Sequence, residues 1–539
     1  MTKKLLLLGD EAIAQAALDA GLSGIYAYPG TPSTEITEYV QNKKNQINGN
    51  IHSDWCTNEK TAMEAALGMS YAGKRTMVCM KHVGLNVAAD PFLNSAITGA
   101  NGGLIVVSAD DPSMHSSQNE QDSRVYGKFA QVPVLEPGNQ QEAYDMVHYG
   151  FDLSEKYGIP VMMRITTRMA HSRAGVNVTT SHRPENELRL PFNLRQYVLL
   201  PAIARKQYKT LLNNQAHFTK ESETSGFNAY TDGNDHSMGI VACGIANNYL
   251  RENYPKGRVP YPVLKLGHYP LPRRMVERMA RECQSILVLE DGYPVVEEML
   301  KGFLGAGLVV KGRLDGSVPR DGELNPNIVA RALGLADTIG SPVPDIVVSR
   351  PPALCDGCPH ADSYLALNEA LTGFSKGRVF ADIGCYTLGA MKPYEAINSC
   401  VDMGASITMA KGAADAGMVP AVAVIGDSTF GHSGITGLLD AVNGKAPITV
   451  FILDNATTAM TGGQHSAANG KLEEICKGIG VEPEHIRVIR PLKKFHEENV
   501  KIINEELAYQ GVSVIIPRRE CIVELNKRMR EKHKKENNE

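Results

Sequence analysis

Apolar residues in this chain recur in two ways, as short Val/Ile/Leu runs and as longer stretches with helical spacing. Over residues 1 to about 170, candidate strands at 5–8, 25–28, 76–80, 104–108 and 161–165 alternate with helix-like segments at 10–20, 33–43, 58–72, 85–100 and 140–157. Such alternation predicts a doubly wound α/β domain with a parallel sheet. From 171 to 235 the pattern turns polar and irregular, broken only by a helical segment at 199–216. Order resumes with strands at 239–244, 263–266 and 285–290 and helices near 245–254, 272–283 and 294–304, ending at a Pro-rich stretch near 340–344. A last region carries two buried-type strands, 422–426 and 448–453, around a helix-length segment, which predicts a parallel βαβ unit. The fold class is therefore α/β throughout.

In parallel units of this kind, ligands sit outside the carboxyl ends of the strands. There Gly426-Asp427-Ser428 follows the first strand, and Asn455-Ala456-Thr457 follows the second, with Asn455 28 positions after Asp427. A carboxylate, an amide oxygen and a backbone carbonyl are hard donors that suit Mg2+, which completes its octahedron with phosphates. The alternative is an ordinary strand–turn–helix without a ligand. In the first region, Tyr28-Pro29-Gly30-Thr31-Pro32-Ser33-Thr34, Lys81-His82-Val83-Gly84 and the long polar loop from Ser108 to Asp122 all stand at strand ends. Each is either a solvated turn or part of a site. Glu59 opens a helix rich in small residues, where an acid is favoured by the helix dipole. Glu64 lies farther along the same helix.

The composition excludes several classes. A length of 539 residues predicts about three domains, and 43% hydrophobic with 21% charged residues is ordinary for a globular protein. A net charge of −4 gives no reason to expect nucleic acid, and no apolar run has the length of a membrane span. The leucines at 5–8 stop at Asp10-Glu11, too soon for a signal peptide, so they read as a first strand and the expected location is cytoplasmic. The ten cysteines then read as thiols or metal ligands rather than disulfides. Cys355-Asp-Gly-Cys358 alone fits a redox dithiol, zinc or iron–sulfur. Cys385 and Cys521, each following a strand, make four thiolates available for a [4Fe–4S] cluster, with Cys400 a rival for the third position. Glu290-Asp291-Gly292 reads as a capping or surface turn, and the basic segment after Cys521 as a frayed tail.

Taken together, these motifs resemble one family. Gly426-Asp-Ser with Asn455 is similar to the thiamine-diphosphate motif Gly-Asp-Gly…Asn, with Ser428 in place of the second Gly. Tyr28-Pro-Gly-Thr-Pro-Ser-Thr, Lys81-His-Val-Gly-Leu-Asn, Asp110-Asp-Pro-Ser-Met-His, Cys355-Asp-Gly-Cys-Pro-His, Asp382-Ile-Gly-Cys-Tyr-Thr-Leu-Gly and Gly426-Asp-Ser-Thr-Phe-Gly-His resemble the large (alpha) subunits of indolepyruvate:ferredoxin oxidoreductases, within the 2-oxoacid:ferredoxin oxidoreductases. The similarity spans essentially the whole chain.

The resemblance implies a thiamine-diphosphate-binding fold in which two doubly wound parallel-sheet domains are separated by a smaller transketolase-C-terminal-like α/β domain. The implied divisions are a pyrimidine-binding domain at 1–175, an irregular linker at 176–235, the middle domain at 236–345, a diphosphate-binding domain at 346–525 and a charged tail at 526–539. It implies that Glu59 activates the aminopyrimidine, that Thr31 contacts substrate and that His82 is catalytic. Asp427, Asn455 and the Thr457 carbonyl would hold Mg2+, and Gly426, Ser428, Gly384 and Tyr386 would line the cofactor. Cys355, Cys358, Cys385 and Cys521 would hold one [4Fe–4S] cluster. The implied reaction is oxidative decarboxylation of an arylpyruvate with CoA to an arylacetyl-CoA, CO2 and reduced ferredoxin or another low-potential carrier. The implied assembly is a dimer of pairs with a smaller beta subunit. The family's usual ferredoxin-like extension, with two Cys-x-x-Cys-x-x-Cys runs, is not among these residues. Either it lies beyond this sequence or electrons leave through a separate protein. The competing readings are a non-oxidative thiamine-diphosphate decarboxylase or acetohydroxyacid synthase, which needs no cluster, and a catalytically silent subunit.

Overall fold

The computed structural model describes residues 2–47, 50–53, 55–189, 196–197, 199–255, 258–303, 307–319, 321–337, 340, 342–348, 353–375, 377–400, 402–415 and 417–536. Residues 350–352, which open the first cysteine motif, and Ser341 in the expected boundary lie outside them. The chain forms two compact units, 1–342 and 343–539. No helix among the described residues is long and apolar enough to cross a membrane.

Among the described residues, the first unit contains a six-stranded sheet in the order His268–Tyr269, Val134–Leu135, Val161–Thr166, Leu104–Asp110, Thr76–Lys81, Gly24–Ala27. All neighbours run parallel except the His268–Tyr269 edge. The interior strands are buried on both faces, which is why they read as continuous apolar runs. A second, five-stranded sheet runs Val309–Lys311, Ser285–Leu289, Gly239–Cys243, Val263–Leu266, Ala229–Thr231. His268–Tyr269 belongs in sequence to the second region and in space to the first sheet, so the two sheets share one compact unit.

Buried charge reinforces that union. Arg164, wholly buried on an interior strand, reaches Asp110 at 2.7 Å and Glu136 at 2.5 Å and donates to the Asp291 carbonyl at 2.8 Å. Arg124 grips Asp122 at 2.5 Å and Glu290 at 3.0 Å, and the Tyr269 hydroxyl donates to Glu136 at 2.6 Å. Glu290 also accepts the Val296 and Glu297 amides at 2.9 and 3.0 Å, capping the Val295–Phe303 helix. The expected capping role holds, but Glu290 and Asp291 are buried rather than on the surface.

Four local expectations are corrected. The first strand, Thr2–Leu8, does not join the parallel sheet; it pairs antiparallel with Arg173–Thr179. Leu6 is exposed and Leu7 buried, so the strand has one dry face where an interior parallel strand has two. The expected irregular stretch after 171 contains that partner strand, and the helix expected at 199–216 runs longer, over the 24 residues Pro201–Thr224. This helix buries only Leu211, Phe218 and Ser222, so its period fades before its C-terminal end. The helix expected at 85–100 is two, His82–Val87 and Ala89–Thr98. The charged tail is helical over Ile522–Glu536.

Among its described residues, the second unit has a wholly parallel six-stranded sheet: Ser399–Cys400, Val379–Ala381, Ala421–Gly426, Ile448–Leu453, Ser513–Pro517, Ile486–Ile489.

Candidate active site

In the second unit, Ala421–Gly426 and Ile448–Leu453 are adjacent and in register, with Gly426 opposite Leu453, so both carboxyl ends open on the same edge of the sheet. Asp427 is 2% exposed, and its Oδ2 has no hydrogen-bond partner among the described residues. Burial, and secondarily the Asp454 carboxylate, push its carboxyl up to about 7. Asn455 and Thr457 are buried beside a tight turn in which Ala456 adopts φ 63°, a left-handed conformation costly for alanine. The Asn455 side-chain oxygen accepts the Thr457 amide at 3.1 Å, and its Nδ2 lies 3.4 Å from His360 Nε2. Ser428 Oγ meets Thr458 Oγ1 at 2.7 Å.

Gly384 and Gly426 clasp the buried Tyr386 ring. A Cβ at either would stand 2.3 or 2.6 Å from the ring, so both positions need glycine. The Tyr386 hydroxyl donates to Asp382, whose other oxygen accepts Ser406 Oγ at 2.5 Å; burial raises the Asp382 carboxyl to about 7. Tyr386 thus braces the turn that carries Asp427.

Cys355, Cys358, Cys385 and Cys521 line one cavity of 120 Å³, together with His360, Asn455 and Glu524. Burial, then the nearby Cys521, Cys358 and Cys355, drive the Cys385 thiol up to about 12. Gly357, at φ 75°, makes the turn that lets the Cys358 amide reach the Cys355 carbonyl at 3.0 Å. The Cys521 amide donates to the Asn455 carbonyl at 3.2 Å, joining the thiol cavity to the Asp427 edge. Cys400 does not line this cavity; it sits on the edge strand with Sγ 3.6 Å from the Asp382 carbonyl.

In the first unit, three strand-end loops converge. Thr31 lies in the loop after Gly24–Ala27, held by Thr34 Oγ1 accepting the Gly30 amide at 3.0 Å. A Cβ on Gly30 would lie 3.3 Å from Lys81 Cγ, so this loop rests on the Lys81 stem. His82 is buried, with Nε2 3.2 Å from the Asn119 carbonyl and side-chain oxygens, and Nδ1 has no partner among the described residues. Glu59 is 5% exposed in the first turn of Glu59–Tyr71, and its carboxylate lies where a Cβ on Gly84 would be, 2.5 Å from Oε1. Burial lowers the Lys81 pKa, against the opposing pull of Asp111 and Glu59. Glu64 instead points outward and pairs with Lys60. Sequence reasoning assigned no role to Lys81, His360, Asp382 or Asp454; each adjoins a motif residue, the one signal that could have found them.

A family described as "Pyruvate flavodoxin/ferredoxin oxidoreductase, thiamine diP-bdg" matches residues 15–227. The family "Thiamine pyrophosphate enzyme, C-terminal TPP binding domain" matches residues 382–515. Indolepyruvate oxidoreductase subunit IorA of Archaeoglobus fulgidus is 39% identical, over 97% of this chain and 87% of that protein. The chain belongs to the indolepyruvate oxidoreductase IorA family. The IorA subunit of Pyrococcus abyssi is 38% identical over 96% of this chain and 86% of its own length. A solved 2-oxoglutarate:ferredoxin oxidoreductase from Magnetococcus marinus shares the fold, with a TM-score of 0.50, 16% identity and coverage of 61% of this chain and 65% of that one. This IorA-family chain is thus an oxidoreductase subunit built from thiamine-diphosphate-binding domains.

Proposed function

We propose that this chain is the large subunit of a 2-oxoacid:ferredoxin oxidoreductase that converts an arylpyruvate of the indolepyruvate type, with CoA, to an arylacetyl-CoA and CO2. Two electrons would pass to ferredoxin or a similar low-potential carrier. The observation that carries the reading is the carboxyl edge of the second sheet. There a buried carboxylate oxygen with no hydrogen-bond partner among the described residues, beside an asparagine and a constrained turn, adjoins a cavity lined by four cysteines.

The donor sets fit the groups proposed for them. Asp427, Asn455 and the Thr457 carbonyl are hard oxygen donors for Mg2+ on a diphosphate, with Gly426, Ser428, Gly384 and Tyr386 shaping that turn. Cys355, Cys358, Cys385 and Cys521 are the four thiolates a [4Fe–4S] cluster needs. Bound thiamine diphosphate would supply a C2 nucleophile and an electron sink for decarboxylation, and the four thiolates would hold a one-electron acceptor. Glu59, buried against Gly84, would share a proton with the aminopyrimidine. Thr31 would hold the substrate, with the buried His82 as a neighbouring proton-handling group. The domain reading assigns 1–175 to the pyrimidine, 236–345 to the middle domain and 346–525 to the diphosphate. A smaller subunit would complete the enzyme, as a cytoplasmic dimer of such pairs.

Anaerobic purification should give brown protein with about four irons per chain, and full arylpyruvate oxidation should appear only when the smaller subunit is added. Stoichiometric zinc without a chromophore would overturn the oxidative reading.

A further inference from the structure

We propose a divalent transition-metal site formed by Asp10, Glu35 and His171 in the first unit, apart from the residues assigned above. One ligand atom from each side chain lies within 4.8 Å of the others. Asp10 is wholly buried, and neither of its carboxylate oxygens has a hydrogen-bond partner among the described residues; the buried Oε2 of Glu35 has none either. His171 Nε2 stands 3.6 Å from Glu35 Oε1.

The arrangement follows from the backbone. Asp10 is in the first turn of Gly9–Asp19, Glu35 in the first turn of Thr34–Ile47, and His171 ends Thr167–His171. A Cβ on Gly9 would stand 2.0 Å from the Met169 carbonyl, so glycine there allows the first and third helices to touch. That contact brings Asp10 up to His171. Two carboxylates facing each other out of water repel unless a proton or a cation lies between them. Two carboxylates balance a divalent charge, and an imidazole among them favours Mn2+, Fe2+ or Zn2+ over Ca2+ or Mg2+. Glu35 is half-buried and His171 exposed, which leaves coordination positions open to water. The ion would clip three helix ends together. It would also fix the start of the Thr34–Ile47 helix, immediately after the loop that carries Thr31.

The test is Mn2+ titrated into the full chain and read by pulsed EPR, in which a coordinated imidazole modulates the echo through its nitrogen. One Mn2+ per chain with that coupling is expected, lost in His171→Gln and Asp10→Asn and retained in Asp427→Ala. Should Asp10→Asn fail to fold, His171→Gln at its exposed position decides alone. Absence of nitrogen coupling in the wild type, or its persistence in His171→Gln, would overturn the site and leave the trio as a proton-sharing acid pair beside an imidazole.

Discussion

Two sets of buried acids, one in each unit, are treated in opposite ways. In the first, Asp110, Asp122, Glu136 and Glu290 are withdrawn from water, and Arg124 and Arg164 meet them with geometry good enough to hold two sheets together. In the second, Asp427 is just as dry, yet one oxygen has no hydrogen-bond partner among the described residues, and the Asp454 carboxylate adds to the rise in its pKa. An acid that the fold neutralises itself is architecture. An acid buried without a countercharge costs stability, and such a cost marks a place where a ligand is expected.

Removing a guanidinium should therefore hurt the first unit most. Arg164→Ala strands Asp110 and Glu136 in a dry interior, and breaking a buried pair costs about 3–5 kcal/mol. Thermal unfolding should reveal it as a large drop in Tm; a loss comparable to that of a surface mutation would dissolve the contrast. Asp427→Asn should do the reverse. It removes a carboxyl whose ionisation burial opposes, so the protein without cofactor should be at least as stable, while Mg2+-dependent thiamine diphosphate binding weakens by at least about a hundredfold. Calorimetry showing unchanged affinity would remove Asp427 from the site.

How far the sequence could foresee this depended on whether the relevant interaction was local. The Asp427–Asn455 unit was legible because both strands are buried on both faces and print unbroken apolar runs, with polar residues falling where each strand ends. Cys385 and Cys400 were not separable, since each stands at the end of a short strand. Sheet order separates them: Val379–Ala381 is the immediate neighbour of Ala421–Gly426, whereas Ser399–Cys400 is the edge. The arginine network was invisible. Arg164 looks like an interruption in an apolar strand, and its partners Glu136 and Asp291 come from elsewhere in the chain. The same remoteness hid the pairing of the first strand with residues 173–179.

Glu290 offers a finer comparison inside the arginine network. Burial raises its carboxyl from 4.5 to about 7 despite Arg124 and the two helix amides. Its folded pKa lies above its unfolded one, so its stabilising contribution is complete below pH 4.5 and is lost as pH rises through about 7. From pH 5 to pH 8 the wild type should lose about 2 kcal/mol on this account. Glu290→Gln should flatten that slope in denaturant unfolding series. An unchanged slope would mean that Arg124 holds Glu290 ionised throughout.

The smallest effect separates two acids five residues apart on one helix. Glu64 faces solvent and pairs with Lys60, an exposed i,i+4 contact worth a few tenths of a kcal/mol at most. Glu59 is buried against Gly84. Exchange of the C2 proton of bound thiamine diphosphate, followed by NMR after acid quench, reads both. Glu59→Gln keeps the size of the side chain and removes the shared proton, so exchange should slow by roughly 10²–10⁴-fold. Glu64→Gln should leave the exchange rate and the Tm at their wild-type values. Collapse of exchange in Glu64→Gln with normal exchange in Glu59→Gln would transfer the role to the exposed residue and break the link between burial at the strand ends and chemistry.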